Sequence, residues 1–154
     1  MKIRRFSPGD EAALFRVFFS SIHQLAAGDY TQNQIDAWAP EDIDPQYWTT
    51  RMRTINPFVA EHNGEIVGYA DIQSNGYIDH FFVSGAHAGQ GIGTLLMSRI
   101  LDEADTLGIR ELTSDVSRTA EIFFERHGFH VVERKLSVTR GVSLPNALMR
   151  KELK

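Results

Sequence analysis

The sequence predicts a mixed α/β domain, a mainly antiparallel sheet flanked by helices, and three observations carry that reading. Two Asn-Gly pairs, Asn63-Gly64 and Asn75-Gly76, each separate runs rich in β-branched and aromatic residues. Asn-Gly is the strongest short hairpin signal, because both central residues accept positive φ. The stretch SGAHAGQGIGTLLM, Ser84 to Met97, sets Gly89, Gly91 and Gly93 at alternate positions and runs at once into strong helix formers. A strand-like run at Glu111–Val116 follows that helix, and the right-handed crossover rule makes it parallel to the strand before the glycines.

The elements follow in order. After a first strand at Lys2–Phe6, the residues Ser7, Pro8 and Asp10 read as a helix start: a capping hydroxyl, proline at the first helical position and an acid in the first turn. Leu14, Phe15, Phe18, Phe19, Ile22 and Leu25 recur at spacings of three and four, which places them on one buried stripe. Thr31 with Gln34 forms a capping-box pattern, Pro40 stops that short helix, and Asp44-Pro45 opens another through about Thr54. The hairpins give strands at about 57–62, 65–73 and 77–83. Behind the glycines, Ile92, Leu95, Leu96, Ile100, Ala104 and Leu107 share one helix face, and Gly108 ends it. Thr119–His127 reads as a short helix ended by Gly128. Phe129–Leu136 and Ala147–Leu153 read as closing strands around a loop holding Gly141 and Pro145. No repeat or linker interrupts the pattern, so residues 1–154 are expected to form one domain.

Composition narrows the functional classes. A chain of 154 residues with 42% hydrophobic content suits one core. Sixteen Lys and Arg against twenty Asp and Glu give a net charge of −4, which offers no footprint for nucleic acid or an anionic membrane. There is no cysteine, so disulfides, thiolate metal sites and a cysteine nucleophile are excluded. No apolar run approaches roughly 20 residues, and a soluble cytoplasmic protein is expected.

Glycine weakens a helix by roughly 1 kcal/mol relative to alanine. Three at a helix entrance therefore mark either a tight turn that needs their dihedrals or an anion approaching the unpaired N–H groups of the first turn. A P-loop needs lysine and then Ser or Thr after its last glycine, whereas Gly93 is followed by Thr94-Leu95. The dinucleotide pattern starting at Gly91 finds Leu96 in its third glycine position, and hairpins rather than parallel units come first.

The motif Q/R-x-x-G-x-G/A falls on Ala88 to Gly93, with its glycines at Gly91 and Gly93. The element A-x-x-F-Y-E-x-x-G-F falls on Ala120, Phe123, Phe124, Glu125, Gly128 and Phe129. In these two motifs, their order and their separation, essentially the whole chain resembles the GNAT superfamily of N-acetyltransferases. DYTQNQIDAWAP is similar to a bacterial branch of small members. The resemblance implies a GNAT-type sheet with a splayed parallel strand pair and acetyl-CoA as cosubstrate. It places the pyrophosphate on the N–H groups of Gly89, Gln90, Gly91, Ile92, Gly93 and Thr94, where a side chain at Gly91 or Gly93 would hold phosphates away. It lays the pantetheine arm in the splay, against main-chain groups near Phe82 and Val83. Three positions depart from the family pattern. Ala88 replaces an Arg or Gln. Ser117 replaces an asparagine that bonds the arm. Phe124 replaces a tyrosine that often protonates the leaving thiolate, so its ring is expected to pack on the thioester end.

Transfer to an amine needs a neutral nucleophile, and a lysine-like amine with pKa near 10.4 is protonated at neutral pH. A base or water chain must take that proton. Asp79 and His80 occupy opposite-facing strand positions, so one of them reaches the acceptor. Asp79, which shares its alternation with Phe81 and Val83, is the favoured base, and a carboxylate there implies a cationic acceptor. The other reading of Asp79 is a turn cap or an arginine partner. Tyr30 and Trp38, with Tyr47 and Trp48, line the acceptor cleft or belong to the core. His127 and His130 are separated by the Gly128 helix end, and no metal is expected. Two functions remain at this point: N-acetylation of a small-molecule amine or a protein amino group, by a monomer or homodimer, or non-catalytic binding of acyl-CoA.

Overall fold

The computed structural model describes residues 1–154. Strand β1 (Lys2–Arg5) leads to helix α1 (Glu11–Ser20), then α2 (Gln32–Trp38) and α3 (Pro45–Ile55). Helix α1 begins later than Ser7-Pro8 predicts, because Gly9 sits at φ 108, outside the helical range. Asp10 instead closes the turn, accepting the Ser7 N–H at 2.8 Å and two bonds from Arg4 at 2.8 and 3.0 Å. Past Ser20 the helix widens into a π turn at Ser21–Leu25 and tightens into a 3-10 turn at Ala26–Gly28. The capping box forms as predicted: the Gln34 N–H reaches the Thr31 hydroxyl at 3.2 Å, and the Thr31 N–H reaches the Gln34 side chain at 2.9 Å. Asp44 caps α3 by accepting the Gln46 N–H at 3.0 Å.

The remaining elements are β2 (Phe58–His62), β3 (Glu65–Ala70), β4 (Tyr77–Ile78), β5 (Phe81–Val83), α4 (Ile92–Leu107), β6 (Glu111–Ser117), α5 (Glu121–Arg126), β7 (His130–Thr139) and β8 (Val142–Glu152). They make two sheets, β1-β2-β3-β5 and β4-β6-β8-β7, with β4 parallel to β6 and the other pairs antiparallel. The strand expected at 77–83 is thus two strands in different sheets. The cause is Asp71, whose Oδ1 accepts the N–H groups of Asp79 at 3.0 Å and His80 at 2.6 Å. Those donors are withdrawn from strand pairing, and the chain crosses from one sheet to the other there. The expected loop before residue 147 is likewise strand: Arg140 and Gly141, at φ 48 and 75, make a tight turn between long β7 and β8. Pro145 is tolerated because it lies just past the end of β6, whose Ser117 pairs with Asn146.

Alternation along the strands feeds two cores. Phe58, Ala60 and Ala70 face Ile92, Leu96, Met97, Ile100 and Ala104 of α4, together with Phe124 and Phe129. Val59 and Tyr69 face Leu14, Phe18 and Ile22 on the α1 side and Trp48 and Met52 of α3. Leu95 and Leu107, expected on the buried face of α4, are 42% and 54% exposed, and Met97 is buried instead. No helix is long and apolar enough to cross a membrane.

Candidate active site

The split between β4 and β5 opens the space where the site lies. The Ser84 N–H bonds Val67 O at 2.8 Å and the Asp71 N–H bonds His80 O at 3.1 Å. In that register the ladder bonds of His80, Phe82 and Ser84 go to β3, and alternation turns the N–H and C=O of Phe81 and Val83 into the gap. Val83 therefore offers main chain there. Phe82 offers its ring instead, set against Phe18 and Tyr69 with centroids 5.0 and 5.9 Å away. An apolar cavity of about 180 Å³ fills the gap, lined by Phe81, Phe82, Val83, Gly93, Phe123 and Phe124 and walled by Ser21 and Ile22 of the π turn. Phe124 is 2% exposed and meets Phe81 and Phe129 edge-on at 5.5 and 5.0 Å.

At the end of this slot stands the glycine turn. Gly89 and Gly91 adopt φ 76 and 84, and a Cβ on either would meet nothing within 4 Å. Their dihedrals require glycine, and the space beside them is open. Gly93 differs from expectation: its Cβ would stand 3.0 Å from the Phe123 ring, so it is small in order to let that ring close on α4. The N–H groups of Gly89, Gln90, Gly91, Ile92, Gly93 and Thr94 have no acceptor in the chain. All of these residues but Gln90 border an open space of about 310 Å³ with His87, whose Nδ1 is buried without a partner. Unpaired donors at the N-terminus of a sixteen-residue helix suit a diphosphate, and the apolar slot suits the arm of coenzyme A.

A second cavity, about 270 Å³, lies on the helical side and is polar where the first is apolar. Trp38, Phe82 and Ser117 line both. Asp79 and His80 both enter it, contrary to the expectation that one alone would, because the backbone at this point follows neither sheet. Asp79 does not share the face of Phe81 and Val83. Its carboxylate pairs with Arg51 of α3, the alternative reading of that residue. Ser117 accepts the Ala120 N–H at 3.2 Å, capping the turn before α5. Tyr30, 6% exposed, donates its hydroxyl to Pro145 O at 2.5 Å and accepts the Arg118 N–H at 3.0 Å, so it braces the cavity wall. Burial raises its pKa. Trp38 sits between Tyr30 and Phe82, with centroids 5.5 and 6.3 Å apart.

His80 is enclosed by Phe18, Trp48, Tyr69 and Phe82, and burial, with Arg51's charge adding, pushes its pKa down to about 3. Its Nδ1 lies 2.9 Å from the Tyr69 hydroxyl. Tyr69 is buried and that is its hydroxyl's one partner. A buried hydroxyl that must donate makes Nδ1 the acceptor, which assigns the hydrogen to Nε2 on the cavity side. Asp71, fully buried behind them, is pushed up to about 6 by burial, against its bonds to His80 and Gln73. Sequence reasoning missed Asp71 and Arg51. For Arg51 a signal existed: with Tyr47 and Trp48 it repeats at the spacing of one face of α3.

A split sheet with a cosubstrate-shaped slot, a glycine turn of free amides and a polar cavity at the junction defines a CoA-type acyltransferase architecture. The acetyltransferase (GNAT) domain model matches residues 26–153. YafP of Escherichia coli strain K12, described as an uncharacterized N-acetyltransferase, is 32% identical over 150 residues, 97% of this chain and 95% of that one. A crystal structure of a GCN5-related N-acetyltransferase from Rhodopseudomonas palustris superposes with TM-score 0.94 at 31% identity, covering 99% and 95% of the two chains. YncA from Salmonella typhimurium, an acetyltransferase by description solved with acetyl-CoA, shares the fold at TM-score 0.72 and 23% identity, covering 100% and 94%. The chain belongs to the GNAT family of acetyltransferases. It is an acyltransferase dependent on acetyl-CoA.

Proposed function

We propose that the protein moves the acetyl group of acetyl-CoA onto the primary amine of a small acceptor seated in the polar cavity. The observation that carries this reading is the meeting of two cavities of opposite character at Trp38, Phe82 and Ser117. The apolar one runs to the free amides from Gly89 to Thr94, which would bind the pyrophosphate as charge-assisted donors. Main-chain groups of Val83 would pair with the arm. The acetyl-CoA bound by YncA on the same fold supports this assignment.

In the polar cavity, Asp79 takes the proton of the acceptor's ammonium directly or through water, while Arg51 holds the carboxylate in place. A carboxylate oxygen has lone pairs for both partners. His80 stays neutral and presents its Nε2–H as a donor, for the carbonyl under attack or for the acceptor. No side chain at Phe124 can protonate the leaving thiol. A thiol with pKa near 8.5 departs tolerably as an anion, and the Phe124 ring keeps water from the thioester.

The test is a panel of primary amines with thiol release as readout, run on wild type and Asp79→Asn. The variant should lower single-turnover transfer by roughly 10²-fold while acetyl-CoA affinity stays nearly unchanged. Equal rates in the two proteins would remove Asp79 from the chemistry.

A further inference from the structure

The charges of the polar cavity are balanced with one exception. Asp79 is paired with Arg51. Asp115 is paired with Lys135 at 3.0 Å and accepts the Tyr77 hydroxyl at 2.9 Å. Arg140, at the tip of the β7–β8 turn, has no carboxylate partner. Its one bond runs from Nη1 to Ala37 O at 2.8 Å. That bond anchors one nitrogen of this exposed side chain at the cavity rim, and its remaining N–H groups are available. A preorganised guanidinium with free donors matches a carboxylate in the bidentate manner. On the same wall, Oδ1 of Asn146 is buried without a partner while its Nδ2 bonds Ser137 Oγ at 2.9 Å. Asn146 stands opposite Ser117 in the β6–β8 register, and Ser117 lines both cavities. The one cation of the cavity without a carboxylate partner is thus Arg140, at the hairpin tip.

On the reading that this cavity takes the acceptor, we propose that the acceptor is a compact amine that also carries a carboxylate, an α-amino acid with an apolar side chain. Its amine lies at Asp79, its carboxylate on Arg140, and its side chain against the apolar wall that includes Trp38 and Leu144. This changes the expectation of a simply cationic acceptor, because the charge of Asp79 is already matched within the protein. A cavity of about 270 Å³ lies just below the range of drug-sized ligand sites, about 300–1,000 Å³, which suits a compact acceptor.

The experiment compares L-phenylalanine, L-leucine and L-methionine with their amides and their decarboxylated amines, following thiol release from acetyl-CoA. The acids should exceed both analogues in kcat/KM by about 10- to 100-fold, the range of a hydrogen bond to a charged group. Arg140→Ala should remove that advantage through KM, costing the acids far more than the amides, whose carbonyl can still accept an N–H, or the amines, and Arg140→Lys should restore part of it. Arg140→Gly, which suits the positive φ, repeats the test without backbone strain. Amides or amines accepted as well as the acids, or an equal loss on all three in the Arg140 variants, would overturn the proposal. So would no turnover of any of these compounds by protein that acetyl-CoA still stabilises, an outcome that leaves the transfer reading standing.

Discussion

Burial among aromatic rings, with the Arg51 charge adding, holds His80 near pKa 3 against an ordinary 6.5, and this has a measurable sign. Between those values the unfolded chain binds a proton that the folded one refuses, so His80's contribution to stability is complete above about pH 6.5 and is lost as pH falls toward 3. His80→Gln should therefore lose less melting temperature than wild type between pH 7 and pH 5, and equal losses would mean that His80 charges freely in the fold. Phe124 allows a test of the opposite kind, a gain. Its ring borders the apolar slot and has no proton to give. Phe124→Tyr should keep the fold and raise single-turnover transfer by up to roughly the 10²-fold that a positioned acid supplies. No gain, together with loss of the basic limb on mutating Ser117, would place the acid there instead. The identity of both residues was legible in the sequence. The pairing of Asp79 was legible only as one of two alternatives, because Arg51 is remote in sequence and its approach depends on how α3 packs.

At the scale of elements, the break between β4 and β5 decides whether a site exists, and Asp71 makes the break. Asp71→Ala would leave the N–H groups of Asp79 and His80 without their acceptor, at about 1–3 kcal/mol each. The expected result is a melting temperature several degrees lower, at about 2–4 °C per kcal/mol, and a matching loss of transfer. Asp71→Asn keeps the Oδ1 acceptor but turns an NH2 toward Gln73 Nε2, which in wild type donates to Oδ2 at 2.6 Å, and should recover part of both. The folded pKa of Asp71 near 6 stands above its ordinary 3.8. The folded state then binds the extra proton, and wild type loses stability relative to Asp71→Asn as pH rises from about 4 to 6, then holds a constant difference. Thermal melts of the two proteins across that range check the sign, and a constant difference from pH 4 to 7 would contradict the assigned burial cost. The sequence indicated a continuous strand at 77–83 because its alternation is sound on either side of Asp79-His80. A buried carboxylate eight residues upstream leaves no periodic signal. The capping box at Thr31 and Gln34 was legible because both partners are local. The β7–β8 hairpin was misread because Pro145 suggests a loop wherever the end of β6 is unknown.

At the scale of the whole molecule, the fold brings one apolar slot and one polar cavity to a common wall, and Tyr30 joins the helical cover to Arg118 in the turn after β6 and to Pro145 of β8. The glycine motif and the A-x-x-F-Y-E-x-x-G-F element made this plan legible from sequence, down to the residues that border the slot. The charges of the acceptor cavity were not, since Arg51, Asp79, Asp115 and Arg140 come from separate elements and only the folded chain shows which cation is left over. The central claim is that the amides from Gly89 to Thr94 and the gap between β5 and β6 act together as one cosubstrate site. The most direct test is the melting temperature with and without acetyl-CoA, for wild type and Gly91→Glu. Ligand at about a hundred times Kd should stabilise wild type by about 2.7 kcal/mol, which is several degrees. NAD or ATP, without the pantetheine arm, should do much less. Gly91→Glu, whose carboxylate would occupy the space open beside Gly91, should abolish the acetyl-CoA shift. An undiminished shift in the variant, or stabilisation by NAD but not by acetyl-CoA, would contradict the account.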